Sequence, residues 1–243
     1  MWRDVKIRYK QTAVGAAWVV LQPLLAAALF TVVFGHFAHL KSSGVPYLLL
    51  TYSALLPWQL FANALATSTK SIVENQALVT KVYVPRLLIP VAPVLAGLVD
   101  FLVGAVLLVG MMAWYGVVPS WRAALLPFFL LFAVAAAIAV TLWLSALNVR
   151  YRDVQYTVPF LAQAWFFATP VAYSALLFPL WLRPWIGINP MAGVVQGFRW
   201  ALFGRHAGQV GHLMLLSFAV VFILLVAGVE YFRRVERSFA DVV

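Results

Sequence analysis

The sequence predicts an all-α membrane protein with six transmembrane helices, and three observations carry that prediction. The 243 residues are 65% hydrophobic and 10% charged, with a mean hydropathy of +0.95, whereas soluble domains average about 45–50% apolar and 25% charged. Apolar runs of bilayer-spanning length, about 20 residues, recur along the whole chain and leave no room for a soluble domain, so 1–243 reads as one transmembrane domain. The 17 Lys and Arg residues sit at the ends of those runs, where they act as topology signals. That placement removes the reading of the +10 net charge as a nucleic-acid surface.

Taken in chain order, the opening WRDVKIRYK places Trp2, Val5, Tyr9 and Ala13 on one helix face at 100° per residue. Arg3, Lys6 and Lys10 form a stripe beside it, with Arg8 close by and Ile7 the exception. Residues 1–15 therefore read as a short interfacial helix, apolar side in the headgroup region and basic side toward phosphates or a protein partner. A plain topology anchor would carry the same pattern. The first span follows at about Ala16–Phe37; it lacks a small-residue cleavage site and reads as a retained helix. The second, Pro46–Ala66, mixes Trp58 and Phe61 with Pro57, Gln59 and Asn63.

In the loop 67–86, Ser71 and Glu74 have capping-box spacing, which predicts about two helical turns over 72–80, with Val82-Tyr83-Val84 extended before Pro85. An exposed inner-face helix there is a docking surface or, equally, a solvated connector. The third span, Leu87–Tyr115, contains Asp100, the one acid near a span's middle. It is either a proton or cation site or a hydrogen-bonded packing residue; with no second intramembrane acid, packing is the simpler reading. The fourth span, Ala123–Leu147, ends in a short loop where Asp153 sits between arginines as an ion pair would, near Arg150 and Arg152.

The fifth, Tyr156–Leu180, carries Trp165, Phe166, Phe167 and Tyr173 beside Gln163, Thr169 and Pro170. The segment 181–209 is too apolar for a linker and too broken by Pro184, Gly187, Pro190, Gly193 and Gly197 for a span. It predicts short helices lying at or dipping into the outer face. Asn189-Pro190 is a start signal for one that bears Gln196, Arg199 and Trp200. Gly193 and Gly197 form a GxxxG, which leaves tight packing open at this position. The last span is Val210–Tyr231.

An even number of spans puts both termini on one side. Twelve basic residues fall on that side (Arg3, Lys6, Arg8, Lys10, Lys70, Lys81, Arg86, Arg150, Arg152, Arg233, Arg234 and Arg237) against five opposite (Lys41, Arg122, Arg183, Arg199 and Arg205). The termini are therefore expected in the cytoplasm.

Enzymatic machinery is hard to find. The chain has no cysteine, which removes disulfides, thiolate metal sites and a Cys nucleophile. His36 and His39 lie at an outer boundary without a carboxylate, His206 and His212 flank another, and neither GxSxG nor HExxH occurs. We expect no catalytic residue, metal or bound cofactor. The stretch GHFAHLKS lacks the second glycine of a phosphate-binding loop and lies on the outer side, so any ATP is bound by another chain. The aromatics of spans two and five are ordinary packing residues, or, with Gln59, Asn63 and Gln163, the lining of a path for a sugar chain.

WRDVKIRYKQTAVGAAWVVLQP, NQALVTKVYVPR with Leu87-Leu88-Ile89-Pro90 after it, LNVRYRDV, INPMAGVVQGFRWALFG and YFRRVERSFADVV, in that order, resemble the ABC-2 type permease subunits that export polysaccharides such as lipopolysaccharide O-antigen and teichoic acid. The resemblance implies a channel built from two copies of this chain in the bacterial inner membrane. It also implies a separate ATPase subunit, holding ATP and Mg, docked beneath, and a lipid-linked polysaccharide as cargo. By the same resemblance Arg3, Lys6, Arg8, Tyr9 and Lys10 lie where that lipid-linked substrate enters from the membrane lipid. Glu74, Asn75, Lys81, Arg150, Arg152 and Asp153 couple to the ATPase. Trp58, Gln59, Phe61, Asn63, Trp165, Phe166, Phe167 and Tyr173 are candidates for the channel lining, and Asn189, Pro190, Gln196, Arg199 and Trp200 for a periplasmic gate. Two other readings fit the composition: an ABC-2 permease for another amphiphile or drug, and a membrane-embedded transferase acting on a lipid-linked sugar.

Overall fold

The computed structural model describes residues 15–37, 44–76, 85–173, 178–179, 181–204, 211–236 and 239. Among these, every regular element is helical. Helix α1 (Gly15–Phe30) continues into a π-helical stretch, Thr31–Phe37. Then come α2 (Tyr47–Glu74) and α3 (Leu88–Trp114), and a 3-10 turn at Trp121–Leu125 that opens into α4 (Leu126–Arg150). After α5 (Val154–Ala168) a second 3-10 turn, Arg183–Ile188, leads to α6 (Pro190–Phe203), and α7 (Gly211–Val235) follows. By length and hydropathy α2, α3, the Trp121–Arg150 unit and α7 can cross a membrane, and Val20–His36 is a shorter apolar helix.

Helix α2 is the hub. It packs against α1, α3, α4, α5 and α6, and 72% of its most apolar window is buried, against 17% for α7. The outward faces of α3, α4 and α7 present Val106, Val109, Leu131, Phe222 and Ile223, all well exposed; side chains of this kind face lipid or another subunit rather than water. At the end of the bundle where α2 stops and α3 begins, Ile72, Ile89, Val149 and Phe232 share one apolar cluster. There the Arg86 guanidinium donates to the Glu236 carbonyl, tying the start of α3 to the end of α7. Farther along α7, Trp143 of α4 stacks on Tyr231 at 4.7 Å and donates its indole N–H to Leu224 O.

Two sequence expectations are corrected. The capping box at Ser71 and Glu74 does not start a helix, because both lie in the last turns of α2, which continues eight residues past Ala66. The Thr67 and Thr69 hydroxyls donate to the carbonyls four residues back, Asn63 and Leu65. Ser71 Oγ donates to Ser68 O, and Lys70 pairs with Glu74 at 3.0 Å. Thr67, Thr69, Lys70 and Ser71 are thus satisfied within the helix and need no break, while the buried Ser68 hydroxyl has no hydrogen-bond partner among the described residues. Secondly, the fifth span is not a single helix. Helix α5 has 15 residues, about 22 Å, less than the roughly 30 Å of hydrocarbon. It stops where Pro170 forces Thr169 into an extended conformation, ψ 133°.

Candidate functional site

The predicted lining residues divide into two groups on opposite sides of α2. On one side Trp58 and Phe61 are buried and meet α5: Trp58 packs edge-on to Phe166 at 5.5 Å and Phe61 to Trp165 at 5.2 Å. Phe30 of α1 stacks on Phe166, and Phe167 abuts it from the exposed side. The structure brings these aromatics of α2 and α5 together, with Trp58 and Phe61 on the interior side of the cluster. On the other side Gln59, Asn63 and Thr67, spaced at four-residue intervals, share a face with Leu56 and Leu60. Together with Gln22 of α1 and Asp100 of α3 they line a groove of about 250 Å3. Asn63 and Gln22 are exposed and the others half-buried or buried.

The end of the bundle where α2 begins and α5 stops is organised by Arg199. Only 6% exposed, its guanidinium donates to four backbone carbonyls: Leu50 within α2 at 3.1 Å, and Pro170 at 2.9 Å, Val171, and Tyr173 at 3.3 Å in the stretch after α5. The Tyr47 hydroxyl donates to the remaining carbonyl of that stretch, Ala172. Irregular backbone at membrane depth is tolerated only where it is buried in protein and its polar groups are met. Here two side chains meet four consecutive carbonyls.

Asn189 fastens the same break to α6. As N-cap its Oδ1 accepts from Met191 N–H at 3.0 Å, as Asn-Pro at a helix start predicts. The same oxygen accepts from Trp165 Nε1 at 2.9 Å, while Nδ2 donates to Thr169 Oγ1 at 2.8 Å.

Pro190, Gln196 and nearly all of α6 are buried against α2, α4 and α7, so this helix is interior to the bundle. The GxxxG is the reason. A Cβ on Gly193 would stand 2.5 Å from Ser217 Cβ, and one on Gly197 would stand 2.3 Å from the Phe129 ring. Ser217 Oγ in turn accepts from Gly193 N–H at 3.1 Å and lies 2.9 Å from Gly187 O and 3.0 Å from Asn189 O, so its one proton is shared between two carbonyls. Trp200 is half-buried beneath the Arg122 guanidinium.

At the opposite end of the bundle Asn75 caps α2: its backbone N–H and its Nδ2 both donate to Ser71 O. Glu74 is exposed beside it. Arg150 ends α4 with its guanidinium over the Tyr151 ring at 5.5 Å. Arg152 and Asp153 are exposed in the turn to α5, and Asp153 makes no ion pair among the described residues, which corrects the pairing expected from its neighbours. Arg3, Lys6, Arg8, Tyr9, Lys10 and Lys81 lie outside the described residues.

Sequence reasoning passed over Tyr47, Asn148 and Ser217. Asn148, fully buried, accepts from Gln155 N–H at 3.0 Å and so caps the start of α5. A polar residue alone in an apolar run is the signal that marks Asn148 and Ser217; nothing local marks Tyr47.

Residues 1–203 match the ABC-2 type transporter family, and the chain belongs to that family. Among curated proteins it is similar to an O-antigen export system permease protein RfbA of Myxococcus xanthus, 28% identical over 98% of this chain and 92% of that one. Two proteins of the same name from Klebsiella pneumoniae are 28% and 26% identical, each over 99% of this chain and 92% of theirs.

Proposed function

We propose that the chain is the permease subunit of an ATP-driven exporter that moves a lipid-linked polysaccharide, O-antigen, across the bacterial inner membrane. Likeness over nearly the whole length to three O-antigen export permeases supports the cargo. The observation that carries the transport role is the groove of Gln22, Gln59, Asn63, Thr67 and Asp100 on helices otherwise clothed in apolar residues. Amide groups open to hydrocarbon, as those of Gln22 and Asn63 are on these exposed faces, are costly unless they line water or meet a partner. A second copy of the chain set against α1–α3 closes the groove into a conduit with hydrogen-bonding walls, and Phe167 and the cluster behind it supply flat apolar faces for sugar rings.

In this reading six membrane passages place both termini in the cytoplasm. Residues 1–15 form the interfacial element where the lipid carrier enters, and Arg3, Lys6, Arg8, Tyr9 and Lys10 face its phosphates. The ATPase is a separate subunit that holds ATP and Mg, touching the inner end of α2 at Glu74 and Asn75, the following segment at Lys81, and the turn bearing Arg150, Arg152 and Asp153. Asn189, Pro190, Gln196, Arg199 and Trp200 form the periplasmic gate.

Co-expression with the ATPase encoded nearest to it, purification through a tag on this chain alone, and native mass in detergent test the assembly. A two-plus-two complex with ATPase activity, and loss of surface O-antigen when the gene is deleted, are the expected results. A chain that purifies alone, with O-antigen unaffected by the deletion, sinks the proposal and favours the transferase reading.

A further inference from the structure

The connection from α3 to α4 and the end of α6 border an open cavity of about 490 Å3, lined by residues 44–45, 116–118, 120–122 and 202–204. Its frame is fixed: Ser120 N–H donates to Leu202 O at 2.9 Å. Arg122 forms part of the wall, half-buried between two indoles, its guanidinium carbon 5.8 Å from the Trp121 ring and 4.8 Å from the Trp200 ring. Ring stacking spends the face of a guanidinium and leaves its in-plane N–H donors. Among the described residues the Arg122 side chain makes no hydrogen bond and no ion pair.

Beside it Gly204, at φ 62°, offers only backbone, where a Cβ would come 3.6 Å from both Arg122 Nη1 and Ser120 Oγ. Charge balance points the same way. With the sidedness proposed above, none of the chain's seven acids, Asp4, Glu74, Asp100, Asp153, Glu230, Glu236 and Asp241, falls in an outer segment. The depth is marked by Trp114 and Trp121, 87% and 82% exposed on either side of the connection; tryptophans of this kind sit at headgroup level.

We propose that this cavity binds the phosphate group of a lipid at the outer face, with Arg122 donating charge-assisted hydrogen bonds and the Ser120 hydroxyl a further one. That phosphate belongs either to a bilayer phospholipid or to the diphosphate of the exported carrier lipid. The inference takes its sidedness from the proposed function, but binding in detergent requires neither the ATPase nor transport, so the two fail separately.

The test is native mass spectrometry of the purified chain titrated with phosphatidylglycerol, with diacylglycerol, and with a polyprenyl diphosphate. Arg122→Gln should weaken phosphatidylglycerol or diphosphate binding about tenfold, Ser120→Ala should weaken it less, and Arg122→Lys should largely restore it. Diacylglycerol, which has no phosphate, should show no dependence on Arg122. Arg122 dependence for phosphatidylglycerol alone assigns the site to bilayer lipid; stronger dependence for the diphosphate, with displacement of phosphatidylglycerol, assigns it to the carrier. Equal binding of both phosphate lipids by wild type and a monodisperse Arg122→Gln protein overturns the proposal, as does an equal Arg122 dependence for diacylglycerol.

Discussion

Replacing Arg199 by Met keeps the length and apolar stem of the side chain and removes the donors. Leu50 O retains the Ser53 hydroxyl at 2.9 Å, so the carbonyls left without Arg199 are those of Pro170, Val171 and Tyr173. An orphaned buried acceptor costs about 1–3 kcal/mol, or roughly 3–9 kcal/mol for the three. Removing a buried cation also removes its desolvation cost, which pulls the sum toward the lower end, about 3–5 kcal/mol. At about 2–4 °C per kcal/mol for a chain of this size, the midpoint of thermal unfolding in detergent, read as loss of the monodisperse size-exclusion peak, should fall by roughly 6–20 °C. Arg199→Lys keeps the charge but concentrates three donors at one point, and should fall between the two. A Met variant melting within about 2 °C of wild type would show that the four contacts do not hold the break closed, and the account of the outer end would have to be abandoned.

Three further outcomes are expected. Tyr47→Phe strips the donor from Ala172 O alone, and the same melting assay should register about 1–3 kcal/mol, well short of the Arg199→Met effect. Gly197→Ala drives a methyl into the buried Phe129 ring and should cost about 1–3 kcal/mol or more by overpacking, whereas Gly110→Ala, with open space around it, should leave the melting point unchanged or slightly raised. Phe167→Ala, exposed beside the aromatic cluster, should reduce surface O-antigen on gels with the protein level unchanged. Trp165→Ala, which also frees Asn189 Oδ1 of its indole donor, should lower the protein level as well.

What the sequence made legible follows from how local each signal is. The apolar runs announced α1 to α4 and α7 to within a few residues, except at the inner end of α2, because hydropathy acts residue by residue. Asn189-Pro190 announced α6 because capping is settled within two residues. The Ser71–Glu74 pattern misled because the same spacing occurs inside any helix; only the fate of the hydroxyls, bonded back to preceding carbonyls, decides between start and continuation. Arg199 was legible as a residue of interest, but its role was not: three of its four backbone partners are the carbonyls of Pro170, Val171 and Tyr173, 26 to 29 positions away in sequence. The two-sided character of α2 needed the positions of α1, α3 and α5, which no pattern within α2 contains.

The hydrogen bonds that Arg199 and Tyr47 make to residues 170–173 run to main-chain oxygens, which every amino acid carries. Those bonds do not depend on which side chains the stretch carries, whereas Pro170 sets the break and the buried Val171 and Ala172 pack by shape. Substitution there is therefore filtered by volume and backbone conformation, and not by the loss of a hydrogen-bonding partner for Arg199 or Tyr47.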